Sequence, residues 1–452
     1  MPRLDKINRR FGMAGWLFTA VVVLLGNGGL AGQPSTPVGD NHNSTAATNP
    51  PPWLSHGPLT MEEALQRALE NDGRIASLQA AVKIARAQRL AATDIKDPEL
   101  QGQSRTGGQS QKSSGDNWDN SRIGVGVFVP NPWLMVPLAD ARTADYQAAQ
   151  ADLKAAIWLL KCDVKMLFAQ IDYLTNNLAF NADLVLLNGE VLNAVQSRVG
   201  QGAATATDLM TASRQYIQFQ DDFDQAYHRY QLARRQLASL LDISPESFEL
   251  ATNPPAIPSL PEPGLTFQSA MALAVNSRSD LAAIRWRAQA AESSYHEVRN
   301  EKIPWITEVK AGYIDNSGNN TDNYWVGLAV NIPIFSWTKN HASDAALAKS
   351  NLAGVEETNG LRRIRHELHD ALDELEQTRQ QQTRLETSAS PLITSMRQTL
   401  ATLQRTPNIM PEQVAAAELQ LLETLRLELN TRWQYQLALL NLERTLGTPL
   451  NQ

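Results

Sequence analysis

The sequence predicts a mainly α-helical fold with a small β part, built from a helical hairpin that occurs twice. The stretch 138–199 keeps a helical pattern that only Gly189 interrupts, and a helix of that length is a rod of ~90 Å. Short segments of alternating apolar residues precede each long helix. Thr60 has its counterpart in Thr266, about 206 residues later. The same shift across helices, strands and turns indicates an internal duplication.

Length and composition exclude some classes of protein. The chain has 452 residues and a net charge of −7, so composition offers no basic surface for nucleic acid. Cys162 is the single cysteine. An intrachain disulfide and a cysteine-based metal cluster are therefore impossible. We expect Cys162 to be a small buried apolar residue on a helix.

The first 58 residues predict an export signal followed by a linker. Residues 1–31 combine a basic start with an apolar run over 11–25 and small residues after it. That run is too short for a membrane-spanning helix, which needs ~20 residues. No cysteine lies near the expected cleavage region, so we expect no lipid anchor. Residues 32–58 are rich in Pro, Ser and Thr. We expect no later stretch to be long and apolar enough for a transmembrane helix.

The first repeat is predicted over 59–242. Thr60 and Glu63 have the spacing of a capping box, and the helix that they open keeps its period to about Thr93. After the strands, a helix over 138–199 ends at a glycine-containing turn, and a new helix begins at Thr207. A proline-rich connector over 243–264 follows.

The second repeat is predicted over 265–447, with a tail at 448–452. Its long helices are expected at 341–404 and from the end of the turn 406–411 to Leu446. Leucines recur at spacings of three and four in the last helix.

Four strands are expected, two in each repeat. The segment 99–105 alternates weakly, whereas 122–130 alternates strongly and places Ile123, Val125 and Val127 on one face. Strands are also predicted at 305–314 and 325–333.

Each strand is about as long as a tilted strand that crosses a membrane. Trp305 and Tyr313 are expected at opposite ends of one face, and Trp325 opens the next strand. Aromatic residues at these places are typical of membrane interfaces. Four strands cannot close a barrel, and open edges are not tolerated in lipid, so several chains would share one barrel. The alternative is an ordinary sheet in a soluble domain.

Several motifs, each weak alone, occur in a fixed order over about 58–450. They are the Leu-Thr-x-x-x-Ala-x-x-x-Ala opening at Leu59 and Leu265, the strand 326–335 with its terminal proline, the turn 198–212, and the closing Leu442-x-x-x-Leu446-Gly447. With these motifs the chain resembles the TolC-like outer membrane efflux proteins.

The resemblance implies a homotrimer with a 12-stranded β-barrel in outer-membrane lipid and an α-helical barrel in the periplasm. Such a protein is the passive exit channel of a tripartite efflux or secretion system. Its partners are a periplasmic adaptor and an inner-membrane exporter. It needs no cofactor, and its substrate is set by the pump.

The resemblance also places the hairpin turns, 200–208 and 405–413, at the periplasmic entrance. It makes the following residues entrance or adaptor-contact candidates: Gly200, Gly202, Asp208, Pro407, Ile409, Met410, Glu412, Gln413 and Ala416. Many members carry carboxylates at the places of Gln413 and Ala416, and a glycine at Pro407. This chain departs from that pattern, which puts an acidic, cation-binding gate in doubt.

Two features of the entrance have alternative interpretations. Ile409 and Met410 could form an apolar constriction or pack against a neighbouring turn. Asp208 lies at a helix start, where a carboxylate favours the helix N-terminus whatever its other role.

No catalytic or metal-binding constellation emerges from the sequence. His366 and His369 lie three residues apart, which does not match the H-E-x-x-H spacing. We therefore expect no enzyme. The alternative function is a soluble periplasmic coiled-coil scaffold or pump adaptor, although an adaptor usually has one hairpin between small β-rich domains.

Overall fold

The computed structural model describes residues 59–104, 120–245, 248, 265–316, 323–334, 340–405 and 411–450. The predicted leader at 1–31, the linker at 32–58 and most of the connector at 243–264 lie outside the described residues. The predicted fold class, mainly α with a small β part, is confirmed.

The same order of elements occurs twice along the chain. The first half has α1 (Met61–Asn71), α2 (Gly73–Ala91), β1 (Glu99–Ser104), β2 (Asn120–Phe128), α3 (Pro132–Gly200) and α4 (Ala206–Leu241). The second half has α5 (Phe267–Ser277), α6 (Ser279–Asn300), β3 (Trp305–Asn316), β4 (Asn323–Asn331), α7 (His341–Arg405) and α8 (Pro411–Leu446). The repeat boundaries at 59–242 and 265–447 stay a prediction, which this order supports.

The first predicted helix is in fact two helices, so the expectation of one helix to about Thr93 was wrong. Thr60 and Glu63 do form the capping box of α1. At Asp72 the backbone becomes extended, with ψ at 110°, and the Asp72 side chain accepts a hydrogen bond of 2.7 Å from the Arg74 amide. This bond caps α2. The signal was present in the sequence, because Asn-Asp-Gly is a strong turn sequence.

The break recurs at the equivalent place in the second half, and the same type of contact holds both breaks. Asn71 Nδ2 donates to the Leu241 carbonyl at 3.0 Å. Ser277 Oγ donates to the Leu446 carbonyl at 2.5 Å. Both acceptors are among the last carbonyls of a helix, which have no partner within that helix. Each half therefore ties its first short helix to the end of its last long one.

Each half has its own apolar core. The first lies among α1, α3 and α4 and includes Leu160, Val164, Ile171, Leu237 and Leu241. The second lies among α5, α7 and α8 and includes Ile364, Leu368, Leu439, Leu442 and Leu446. Cys162 is 6% exposed, as expected. Burial disfavours its thiolate and raises the pKa of Cys162 to about 12.

Among the described helices, α3 alone contains a stretch long and apolar enough to cross a membrane. By that criterion, the expectation that no such stretch follows the leader was wrong. α3 packs along α4, α6 and α8, but only 22% of its most apolar stretch is buried. These helix contacts therefore account for only part of the apolar composition of α3.

The four strands form one antiparallel sheet in the order β1-β2-β3-β4. The outer edges of β1 and β4 have no partner strand within the described chain. Thr307 forms a β-bulge in β3, because Ile306 pairs with Val330 whereas Glu308 pairs with Ala329. Side chains before and after a bulge change faces relative to simple alternation.

The C-terminal ends of α4 and α8 provide a matched stability test. Asp242 follows α4 with φ at 52°, and Gly447 follows α8 with φ at 75°. Glycine adopts this left-handed conformation without the clash that a Cβ causes. We expect Asp242→Gly to raise the free energy of unfolding by about 0.5–1 kcal/mol per chain. The temperature midpoint of the far-ultraviolet circular dichroism signal would measure it.

The converse substitution, Gly447→Ala, is the control. An alanine at this position would have to keep the strained positive φ, and its Cβ would lie 3.0 Å from Arg278 Cγ. We therefore expect a lower midpoint of thermal unfolding. Equal midpoints for wild type and both variants would show that these two residues do not limit the stability of the helix ends.

Candidate functional site

One face of the sheet is apolar and exposed. Val326 is 77% exposed, Leu328 64% and Ile123 59%. The same face carries Leu100, Val125, Val127, Ile306, Val309 and Val330. This confirms the alternation predicted for β2 and β4. An exposed apolar surface of this extent needs a nonaqueous environment or a partner.

The opposite face carries glycines together with polar and aromatic residues. Glu308 is buried there, and its Oε2 lies 2.8 Å from Lys310 Nζ. Lys310 Nζ also donates to Gln101 Oε1 on β1, at 3.4 Å. The sheet is thus apolar on one face and polar on the other, as in a barrel that separates lipid from an aqueous interior.

Trp305 and Tyr313 lie on opposite faces of the sheet, so the expectation that they share one face was wrong, whereas a membrane-interface role for Trp305, Tyr313 and Trp325 stays a prediction. The bulge at Thr307 changes the alternation, so Trp305 pairs with Asn331 on the face opposite to Tyr313. Trp305 Nε1 donates to the Val129 carbonyl at 3.3 Å. Trp325 precedes Val326 by one residue and therefore points to the other face.

Tyr313 does lie on the apolar face. It pairs with Tyr324, and the two rings pack edge to face with centroids 5.9 Å apart. Sequence reasoning did not select Tyr324, which is exposed. Both tyrosines lie towards the same end of the β3–β4 pair, where an aromatic girdle would be expected. Their place at a membrane interface stays a prediction.

The first hairpin turn begins where α3 ends, at Gly200. Gly202 has a φ of 74°, a conformation that favours glycine. The Ala203 amide donates to the Arg198 carbonyl at 2.8 Å, and Arg198 Nη2 donates to the Ala203 carbonyl at 3.2 Å. These bonds close a tight turn between two long antiparallel helices.

Asp208 is part of a helix cap. The helix α4 begins at Ala206, one residue earlier than predicted, with Thr205 as its N-cap. The Thr205 amide donates to Asp208 Oδ2 at 2.9 Å, and the Asp208 amide donates to Thr205 Oγ1 at 3.2 Å. The hydrogen bonds from Thr205 lower the pKa of Asp208, so the carboxylate is charged at neutral pH. A further role of Asp208 at an entrance stays a prediction.

We expect Asp208→Ala to loosen the first turn of α4 without changing the rest of the hairpin. The substitution removes the acceptor of the Thr205 amide and one half of the capping box. Hydrogen–deuterium exchange at pH 7 should be several-fold faster in peptides that cover this turn. Asp221→Ala, at an exposed position within α4, is the control. Unchanged exchange in the Asp208 variant would contradict the capping role.

The second hairpin turn is described only in part. Pro407, Ile409 and Met410 lie outside the described residues. So does the side chain of Glu412, although its backbone belongs to the first turn of α8. Gln413 and Ala416 are exposed on α8. Their roles at an entrance stay predictions, as does the choice between gating and packing for Ile409 and Met410.

A polar contact that sequence reasoning missed joins the two hairpins. Arg426 on α8 donates to Asn181 Oδ1 on α3 at 3.0 Å and to Asp222 Oδ2 on α4 at 3.2 Å. Nearby, Tyr173 stacks on Trp433 with ring centroids 5.0 Å apart. These partners are more than 200 residues apart, so no local pattern could have indicated them.

Of the His366 and His369 pair, which is exposed, His369 has a packing contact. The His369 ring stacks on Phe267 with centroids 4.0 Å apart, and Phe267 packs against the second core. Within the described residues, no group of three or more His, Cys, Asp or Glu is placed to hold a metal ion.

Comparison with known proteins gives one family and one fold. Residues 64–242 match the family model described as outer membrane efflux protein. No curated protein sequence gives a significant match.

Solved structures with similar folds extend the likeness over both halves. The outer-membrane channel OprN is 15% identical with a TM-score of 0.68, covering 87% of this chain and 91% of that one. The outer membrane protein VceC from Vibrio cholerae is 18% identical with a TM-score of 0.67, covering 86% and 96%. The CmeC outer membrane channel from Campylobacter jejuni is 14% identical with a TM-score of 0.65, covering 94% and 95%.

The members of this family are passive channels and not enzymes; they are trimeric and work with an adaptor and an inner-membrane pump. Their β part lies in the outer membrane and their helices lie in the periplasm. Residues 64–242 of this chain thus resemble the outer membrane efflux protein family, and the fold across both halves is that of solved outer-membrane channels.

Proposed function

We propose that three copies of this chain form one exit duct. In this assembly the 12 strands close a single β-barrel in outer-membrane lipid, and the long helices line a tunnel through the periplasm. Substrate enters at the hairpin turns and leaves through the barrel. The duct itself performs no chemistry.

The observation that carries this proposal is the sheet with two unpartnered edges and an exposed apolar face. In lipid, each unpaired backbone group at an open edge costs several kcal/mol. Pairing the β4 edge of one copy with the β1 edge of the next removes both edges once the ring closes. The apolar face then lies against lipid, and the polar face lines an aqueous interior.

The partners proposed for the tunnel are a periplasmic adaptor and an inner-membrane exporter. The exposed end of the α3–α4 hairpin, with its capped turn at 200–208, is the surface offered to the adaptor. An exporter driven by protons or by ATP, or a secretion system, would then supply the energy. The first-hairpin candidates Gly200, Gly202 and Asp208 belong to this surface.

The soluble scaffold is the competing hypothesis, and channel activity distinguishes the two. The detergent-extracted protein would be inserted into planar lipid bilayers and its ion current recorded. A duct gives discrete current steps that need no nucleotide. A protein that stays in the soluble periplasmic fraction and gives no steps in a bilayer would contradict the proposal.

A further inference from the structure

Glycines cover much of the polar face of the sheet on three adjacent strands. We call the following four residues the glycine floor: Gly124, Gly126, Gly312 and Gly327. Glycine weakens a strand interior and often marks a place where another group approaches the backbone closely. The presence of four glycines on one face therefore indicates that other groups lie close to the backbone there.

The Trp325 ring uses part of that space. A Cβ added at Gly124 would lie 3.0 Å from Trp325 Cζ2, and one at Gly327 would lie 3.0 Å from Cζ3. A Cβ at Gly312 would meet Trp325 Nε1 at 2.5 Å. The ring therefore rests on the strands instead of extending away from them. Trp325 Nε1 is buried and has no hydrogen-bond partner within the described residues.

The Glu308 carboxylate occupies the rest of the space above the glycine floor. Glu308 is 8% exposed, and a Cβ at Gly126 would overlap its Oε1. Oε1 is buried without a hydrogen-bond partner in the described part of the chain, while Lys310 Nζ holds Oε2 at 2.8 Å. Burying a carboxylate this way is unfavourable unless something else is gained. A carboxylate on the wall of an aqueous duct could instead extend into water.

We propose that the glycine floor keeps Trp325 and Glu308 folded down on the barrel wall and thereby sets the bore of the β-barrel. This inference rests on the proposed trimeric duct, in which each side chain occurs three times around one ring. A Cβ at the floor lifts the ring or the carboxylate towards the axis and narrows the passage. A bore kept clear in this way would admit bulkier solutes than a narrowed one, because pore diameter limits what can pass.

The bore can be measured by polymer exclusion in planar bilayers. Neutral polyethylene glycols of graded size are added only on the barrel side, and the largest polymer that still lowers the single-channel current reports the width of the barrel. One-sided addition exposes the barrel end of the duct to the polymer and not the end at the hairpin turns.

Gly126→Ala is the principal variant, because its Cβ displaces only the flexible end of Glu308. We expect a shift of the cut-off to smaller polymers. The double variant Gly126→Ala with Glu308→Ala should restore the wild-type cut-off. Gly102→Ala is the control for a glycine substitution on the apolar face, where Gly102 pairs with Ile123 and a Cβ meets no atom within 4 Å, and its cut-off should equal that of wild type.

A second pair uses the tryptophan in the same way. A Cβ at Gly327 would lie 3.0 Å from Trp325 Cζ3, so the ring has to move less than Glu308 does in Gly126→Ala. Gly327→Ala should therefore lower the cut-off by a smaller step, and the double variant Gly327→Ala with Trp325→Ala should restore it. If Gly126→Ala fails to assemble, this second pair of variants tests whether the glycine floor sets the bore.

The outcomes separate this inference from the proposed function. A conducting wild type whose cut-off is unchanged in Gly126→Ala and Gly327→Ala overturns the inference alone. So does an equal reduction in the single and double variants, because the constriction would then not come from Glu308 or Trp325. A wild type that never conducts overturns the duct itself.

Discussion

Replacing Leu328 with lysine is expected to abolish assembly of the protein in the outer membrane. Leu328 lies near the middle of β4 on the exposed apolar face. A lysine facing lipid near the bilayer midplane costs about 2–4 kcal/mol, and a trimer would contain it three times. The sum approaches the whole stability of a typical folded protein. The yield of heat-modifiable oligomer in the outer-membrane fraction would measure the loss.

Ala329→Lys is the matched control, one residue further along the same strand. Ala329 lies on the polar face and pairs with Glu308, so a lysine there faces water and a carboxylate. We expect near wild-type yield. Normal yield of the Leu328 variant would contradict the assignment of the apolar face to lipid. Equal loss in both variants would show that β4 tolerates no lysine on either face.

Arg278→Ala is expected to cause the largest loss of stability in the helical part. The Arg278 side chain is 13% exposed, and its guanidinium lies 2.6 Å from Glu367 Oε2 and 2.8 Å from Asp280 Oδ2. It also donates to the Thr445 carbonyl at 3.3 Å. Removing it leaves two half-buried carboxylates without their main partner. Because both remain partly exposed to water, we expect a loss of about 2–3 kcal/mol.

The effect of Arg278→Ala should depend on pH. Burial alone would raise the pKa of Asp280, but the hydrogen bond and charge of Arg278 outweigh it and lower that pKa. A group with a lowered folded-state pKa stabilises the protein above its unfolded-state pKa, and this contribution is lost as pH falls through the folded-state value. Thermal unfolding midpoints of wild type and variant should therefore differ at neutral pH and converge in acid.

Arg74→Ala serves as the control for Arg278. Arg74 pairs with Asp72 at the equivalent break of the first half, but its side chain is largely exposed. An exposed ion pair contributes about 0–1 kcal/mol. A change as large as that of Arg278→Ala would mean that burial does not explain the difference between the two halves.

The helical hairpins and the alternating strands could be predicted because their patterns are local. Ile123, Val125 and Val127 alternate with glycines, so one face of β2 was evident from the sequence alone. The break at Asp72 was missed even though its turn residues were visible.

Other features depend on partners far along the chain. The bulge at Thr307 is defined by the register between β3 and β4, and it alone reverses the expected face of Trp305. Arg426 contacts Asn181 and Asp222 only because two hairpins pack side by side. Glu308 over Gly126 is likewise a contact between strands of different halves. No periodicity reports such contacts, so the contacts made on the polar face of the sheet could not be derived from the sequence.

The central claim is that three chains share one outer-membrane barrel, and the mass of the native assembly tests it most directly. The mature protein would be extracted from outer membranes in detergent and its mass determined by native mass spectrometry, with migration before and after heating alongside. We predict a species of three times the monomer mass that dissociates on heating. A monomer recovered from the soluble periplasmic fraction would contradict the account.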